Sequence, residues 1–157
     1  MVTLVVLLDY SAAFDTVDHS IALSILENNF SVTSSSLSWF HSYLSNRTFR
    51  VLSNSQHSVP VDLDCSLPQG STLGPLLFIT YASQLQKVAD KHGVAFHGFA
   101  DDSQLSKSTH VQDVQSAKLT MIDCILDIHK WSSSHRLKLN AVKSEVCLLY
   151  TSPSPRD

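Results

Sequence analysis

Two aspartates stand side by side in "GFADDSQL", Asp101 and Asp102, directly after an apolar run, and a third, Asp9, closes the apolar run "VTLVVLL" near the start of the chain. Adjacent carboxylates repel, and an apolar neighbourhood makes each costlier to ionise. If the two runs are neighbouring strands, the three acids meet at one end of a sheet. Clustered carboxylates favour a hard cation, and Mg²⁺ is the usual choice where phosphate oxygens complete its octahedron. In an extended strand successive side chains point to opposite faces, so only one of Asp101 and Asp102 aims fully into a shared site. Asp101 is read as the main ligand, with Asp102 beside it. Two such ions a few ångströms apart activate an attacking hydroxyl and neutralise a leaving phosphate, as in polymerases and nucleases. The plainer alternative makes these aspartates a helix cap and a turn residue, and the carboxylates alone equally suit a metal-dependent phosphohydrolase.

The elements that must position these acids follow from hydrophobic spacing. Residues 2–8 form an apolar, β-branched run without alternation, the pattern of a strand buried on both faces. Ile21, Ile25, Leu26 and Phe30 recur at helical intervals, and "SSSLSWFHSYL" predicts a second helix with Ser36 as its cap. "RTFRVLSN" and "SVPVDLDC" read as two strands around a polar turn, with Pro60 marking an edge. After the turn "LPQGSTLG", one helix is expected through Leu73, Leu76, Leu77, Tyr81, Leu85 and Val88, Pro75 being tolerable in its first turn. "GVAFHGFA" is a strand leading to the paired aspartates, and "SQLSK" returns as its hairpin partner. A long helix then carries Val114, Ala117, Met121, Ile125 and Ile128 on one face, with Trp131 packing near its end, and "LKLN" and "EVCLLY" follow as short strands.

Composition bounds the class. At 157 residues and 43% hydrophobic content the chain supports one core, and the net charge of −3 gives no basic footprint for nucleic acid. Cys65, Cys124 and Cys147 are odd in number and widely spaced, which suits thiols in a reducing, intracellular compartment, nucleus or cytoplasm. Cys124, His129 and His135 have a loose metal-like spacing, but no second cysteine pair supports a zinc site. The apolar start is too short to span a membrane and lacks a signal peptide's basic start and cleavage site.

Four segments in order, "LLDYSAAFDTVDH", "LPQGSTLGPLLFITY", "FADDSQL" and "WSSSHRLKLNAVKSE", resemble the palm motifs of reverse transcriptases of non-long-terminal-repeat (LINE-type) retrotransposons. "ADD" alone is weak evidence; four motifs in order along nearly the whole chain are specific. The resemblance implies an α+β palm-like fold, an antiparallel sheet packed on helices. It implies Asp9 and Asp101 as the metal-binding pair, Asp102 in the neighbouring carboxylate position, and two Mg²⁺ ions. The activity implied is RNA-directed DNA polymerisation, with an RNA template, a DNA primer and deoxynucleoside triphosphates (dNTP) as partners.

Other matched positions make physical sense. Phe14, five residues after Asp9, stands where the family places a bulky aromatic that collides with a ribose 2′-hydroxyl, and Ala13 leaves room beside it. Exposed peptide N–H groups between Asp9 and Phe14 suit a triphosphate. Gln69 and Gly70 match residues bordering the incoming nucleotide and template base, glycine allowing close backbone approach. Lys143 matches a lysine that protonates departing pyrophosphate as a general acid. Without the motifs, Phe14 reads as a core aromatic, Gly70 as a turn glycine, Gln69 as a surface amide and Lys143 as a solvated cation.

The chain also departs from the pattern. Phe99 replaces a usual tyrosine, and Ser66 and Leu67 stand where Gly-Val often precedes "PQG", a change expected to alter the turn. The expected domain is residues 1–149, a partial palm lacking most of the fingers and thumb, followed by a disordered tail over 150–157. Fingers and thumb carry much of the family's basic surface, so the isolated fragment is expected to bind nucleic acid weakly and to be inactive alone, the alternative reading being a truncated retrotransposon relic.

Overall fold

The computed structural model describes residues 1–150. In chain order the elements are β1 (Val2–Leu8), β2 (Tyr10–Ser11), a 3₁₀ turn (Ala13–Thr16), α1 (His19–Phe30), α2 (Ser34–Leu44), β3 (Arg47–Phe49), β4 (Leu52–Ser53), β5 (Gln56–His57) and β6 (Val61–Leu63). They continue with α3 (Gly74–Ala82), α4 (Gln84–Lys91), β7 (Ala95–Phe99), β8 (Asp102–Thr109), a second 3₁₀ turn (Val111–Asp113), α5 (Val114–Ser134), β9 (Lys138–Leu139) and β10 (Glu145–Tyr150). Two compact units result, one from residues 1–13 with 82 onward and one from Phe14–Tyr81.

The first unit is built on a four-stranded antiparallel sheet in the order β10-β1-β8-β7. The apolar run at residues 2–8 does form its inner strand, but not one buried on both faces: Val2, Leu4, Val6 and Leu8 are buried, whereas Thr3 and Val5 are half-buried and Leu7 is exposed. Apolar residues on both faces hid this alternation. Burial of four such side chains contributes roughly 6–12 kcal/mol as an upper bound, which anchors the strand that carries Asp9. Leu105 of β8 shares that covered face, opposite Val6.

Helix α5 contacts β1 and β8, and α4 contacts β7 and α5. The buried stripe of α5 is Ala117, Met121, Cys124, Ile128 and Ser132; Val114 and Ile125, expected on the core face, are half-buried. Ser132 is buried with its hydroxyl 3.4 Å from the Tyr10 hydroxyl, which gives the buried group a partner. Burial pushes the Tyr10 phenol up, against the opposing pull of hydrogen bonds with Ser132 and Ser103. Trp131 lies near the end of α5 stacked on His135, ring centroids 3.9 Å apart.

In the second unit Asp18 caps α1, accepting the Ile21 N–H at 3.0 Å. Helix α2 begins two residues before the expected cap: Thr33 is its N-cap and Ser36 falls inside the first turn. The two strands expected around residue 55 form a tiered hairpin, β3 pairing with β6 and β4 with β5, turned at Asn54 and Ser55 with φ of +49° and +62°. The single helix expected from Leu73 to Val88 is α3 and α4, separated at Ser83. Ser83 keeps right-handed helical angles, φ −57° and ψ −25°, so the apolar period crosses the break undisturbed. Tyr150 is the last residue of β10, one past the predicted domain boundary; the Pro/Ser-rich tail from 151 lies outside the described residues.

Candidate active site

The site is assembled at Asp9, where β1 ends. On one side the β1–β8 ladder closes with Leu8 opposite Ser103, so the next residue on each strand is an aspartate, Asp9 and Asp102. Because Leu7 pairs with Gln104, alternation puts Asp9 and Asp102 on the same side of the sheet as these two, the less buried one. Asp102 opens β8, paired with Phe99 across the hairpin, while Asp101 sits in the turn behind Ala100, whose φ is +52°. The two aspartates therefore do not share one extended strand: Asp101 is a half-buried turn residue and Asp102 an exposed strand residue.

On the other side of Asp9 the chain changes partner. β1 pairs with β10 down to Leu7 opposite Glu145, and β2 pairs with β9 from Tyr10 opposite Leu139. Between these rungs, two residues, Leu8 and Asp9, face five, Asn140 to Ser144. The surplus is a loop looped out beside Asp9, and it contains Lys143. Asn140 N–H donates to the Asp9 carbonyl at 2.8 Å, and Asp9 N–H donates to Ser144 Oγ at 3.3 Å. Ser144 Oγ in turn donates to the Asn140 carbonyl at 2.8 Å. Lys143 is exposed, its N–H on the Asn140 carbonyl at 3.2 Å.

Asp9 Oδ2 is buried and has no hydrogen-bond partner among the described residues. A carboxylate oxygen in that state costs about 1–3 kcal/mol or more, which the burial of β1 outweighs. Such an orphaned acceptor fits a cation ligand, and Asp102 and Asp101 are the acids whose strand and turn reach the same sheet end. Among the described residues, no three His, Cys, Asp or Glu side chains are gathered as a metal-holding group. An open cleft of about 370 Å³ borders this end, lined by Leu7, Leu8, His97, Phe99, Asp102 and Gln104 among others. Phe99 is 82% exposed there.

The remaining expected residues have the following places. Ala13, which ends the first unit's N-terminal segment, is buried. Phe14, Gln69 and Gly70 belong to the second unit. Phe14 is half-buried and stacked on the fully buried Phe78, centroids 5.1 Å apart, so it is a packed aromatic that keeps part of its surface accessible. Its carbonyl accepts the Leu67 N–H at 2.8 Å. Gln69 is exposed and donates to Asp15 Oδ1 at 3.2 Å. Gly70 has φ +78° with open space where a Cβ would stand, so the backbone conformation rather than local crowding requires glycine. Ser66 has φ +93°, a region L side chains rarely adopt.

Asn140 and Ser144 were missed as site residues by sequence reasoning. Only the register reveals that the "NAVKSE" segment is held on the backbone of Asp9; its one local signal is small polar residues flanking a lysine.

Residues 1–155 match the family model described as Reverse transcriptase (RNA-dependent DNA polymerase). The chain is 28% identical over 144 residues to the "Probable RNA-directed DNA polymerase from transposon BS" of Drosophila melanogaster, covering 88% of this chain and 16% of that protein. It is 29% identical over 108 residues to the "RNA-directed DNA polymerase from mobile element jockey" of the same organism, covering 65% and 12%. It therefore spans less than a fifth of either relative's length. Among solved structures it is similar to apo telomerase from Candida tropicalis truncated from its C-terminal domain, with TM-score 0.73, 13% identity, and 98% of this chain and 32% of that one covered. Telomerase from the same organism in complex with a fragment of telomeric RNA gives TM-score 0.69 at 10% identity, covering 94% and 26%. At these identities the two structures bear on fold alone, an α+β polymerase palm-like arrangement. The ordered motifs, the fold and the family match agree: the chain belongs to the reverse transcriptase family, as a palm region of the non-long-terminal-repeat, LINE-type retrotransposon kind.

Proposed function

We propose that this region is the catalytic palm of an RNA-directed DNA polymerase, extending a DNA primer on an RNA template with deoxynucleoside triphosphates. The observation that carries the proposal is the meeting at Asp9 of two separately encoded segments, the Asp101–Asp102 hairpin through β8 and the Lys143 loop through β9 and β10. In the reaction, the primer 3′-oxygen bonds to the α-phosphorus of the triphosphate, the α–β anhydride bond breaks and pyrophosphate departs. Asp9, Asp101 and Asp102 would hold two Mg²⁺, which would supply activation of the hydroxyl and neutralisation of phosphate charge.

The chain's own residues do the rest. Asp9 presents the unpartnered Oδ2 toward positive charge, and the exposed Lys143 ammonium delivers a proton from Nζ to the leaving pyrophosphate. Phe14 bars a 2′-hydroxyl with the ring that Phe78 holds in place, beside Ala13. Gln69 and Gly70 border the incoming nucleotide and template base. The net charge of −3 leaves little phosphate-neutralising surface, so nucleic-acid binding by this chain alone is weak.

Mg²⁺-dependent primer extension on an RNA template, with this chain and with a chimera carrying fingers and thumb from a relative, tests the reading. Extension by the chimera that is lost in Asp101→Asn supports it. Extension by the chimera alone makes this chain inactive by itself, the truncated-relic reading, and extension unaffected by Asp101→Asn overturns the assignment of the acids.

A further inference from the structure

We infer that Ser144 and the backbone of Asn140 are positioning groups for Asp9, clasping both its peptide N–H and its C=O so that the Asp9 carboxylate and Lys143 move as one. The inference rests on reading Asp9 as a cation ligand. Three bonds carry it: Asn140 N–H to Asp9 O at 2.8 Å, Asp9 N–H to Ser144 Oγ at 3.3 Å, and Ser144 Oγ to Asn140 O at 2.8 Å, which closes the clasp on itself. Lys143 is the residue immediately inside it, with its own N–H turned onto Asn140.

The clasp explains why Oδ2 of Asp9 stays buried and unpartnered. A carboxylate on a free strand end would rotate, by a small backbone adjustment, toward water or an N–H donor. With both backbone groups of Asp9 committed, that backbone adjustment is closed, which favours leaving the oxygen available to a cation. Orienting partners of this kind typically set metal affinity by about 10- to 100-fold. The three extra residues in the loop are what make the clasp possible: an unbroken ladder would offer Asp9 a regular strand partner and give Lys143 no place beside it.

The test is titration of the full chain with MnCl₂ and with MgCl₂, followed by calorimetry and by the backbone amide resonances of Asp9, Lys143 and Ser144. Cation affinity should fall about tenfold in Ser144→Ala and stay near wild type in Ser144→Thr, which keeps the hydroxyl. Mg²⁺ should shift the Lys143 amide in the wild type and leave it unmoved in Ser144→Ala. Should Ser144→Ala lose cooperative unfolding, Ser144→Cys, with similar volume and a weaker acceptor, carries the same expectation. Equal affinity in wild type and Ser144→Ala, or no binding of either ion, overturns the inference. A clasp-dependent affinity without primer extension by the chimera leaves the clasp standing and removes the polymerase reading instead.

Discussion

Leu8 and Ser103 face each other in the last rung of the β1–β8 ladder, and the residue that follows the first and precedes the second is in each case an aspartate. Asp9 and Asp102 are thereby set at one sheet end by the burial of neighbouring strand side chains, Leu8 and Leu105 among them. The unpartnered Oδ2 of Asp9 is a cost carried at that strand end.

That cost is measurable. Asp9→Asn removes the charge from the carboxyl group whose Oδ2 is buried without a partner, and should stabilise the chain by roughly 1 kcal/mol in urea unfolding without divalent ions. Adding MgCl₂ should stabilise the wild type through binding to the folded state and leave Asp9→Asn unmoved, so that the order of the two reverses. A variant less stable than wild type in both conditions would contradict the account of Oδ2.

Phe14 has two roles that a single substitution separates. Phe14→Val gives up the stack on Phe78 and part of the ring's buried area, costing about 1–2 kcal/mol in unfolding experiments. In the extending chimera it should also raise ribonucleotide incorporation, read as the ratio of kcat/KM for the two sugars. Equal discrimination by both variants would confine Phe14 to packing.

Ser66 gives the opposite case, a position where the sequence is locally unfavourable. Its φ of +93° is held by its own N–H on Val17 O at 2.8 Å and by the His19 ring on its carbonyl at 2.7 Å, neither of which uses the side chain. Ser66→Gly should therefore keep these bonds and relieve the strain, stabilising by about 1 kcal/mol in the urea midpoint. No change, or a loss, would mean that the serine is not strained there.

Alkaline pH should weaken the first unit through Cys124. Burial inside the α5 stripe pushes its thiol up from 9.0 to about 11, Asp127 adding to the shift and Lys107 opposing it. The folded value lies above the unfolded one, so this contribution is fully present below pH 9 and is lost as pH rises through about 11. Cys124→Ala should be less stable at pH 7 from the lost packing, yet lose less stability than wild type between pH 9 and 11, in chemical unfolding followed across pH. Parallel profiles for the two proteins would refute it.

Much of this was legible in the sequence because single segments carried their own signals. β1 announced itself by an apolar run ending at Asp9, and the β7–β8 hairpin by two strand-like runs around the aspartates. What was not legible depends on pairing between distant segments. The looped-out Asn140–Ser144 segment exists only by comparison with residues 2–11, and nothing within "NAVKSE" states its partner. Asp101 was read as part of a strand because a two-residue turn leaves the apolar pattern on both sides intact. The break at Ser83 escaped for a related reason, since a residue that keeps helical angles does not shift the period of its neighbours. Nor does the sequence show that Ser132 is buried, because its partner, the Tyr10 hydroxyl, comes from the other end of the chain.

The position of β1 in its sheet also sets an order of events. Its seven residues are synthesised before both of their partners, β8 and then β10, so the strand cannot be completed until β10 has been made. At about 5–20 residues per second, a ribosome leaves this apolar segment without its full complement for roughly 7–30 s. Loop closures of that length are slow to form, and the exposed strand is meanwhile open to wrong partners. The strand that carries Asp9 in the finished protein thus stays exposed to wrong pairing while the protein is being made.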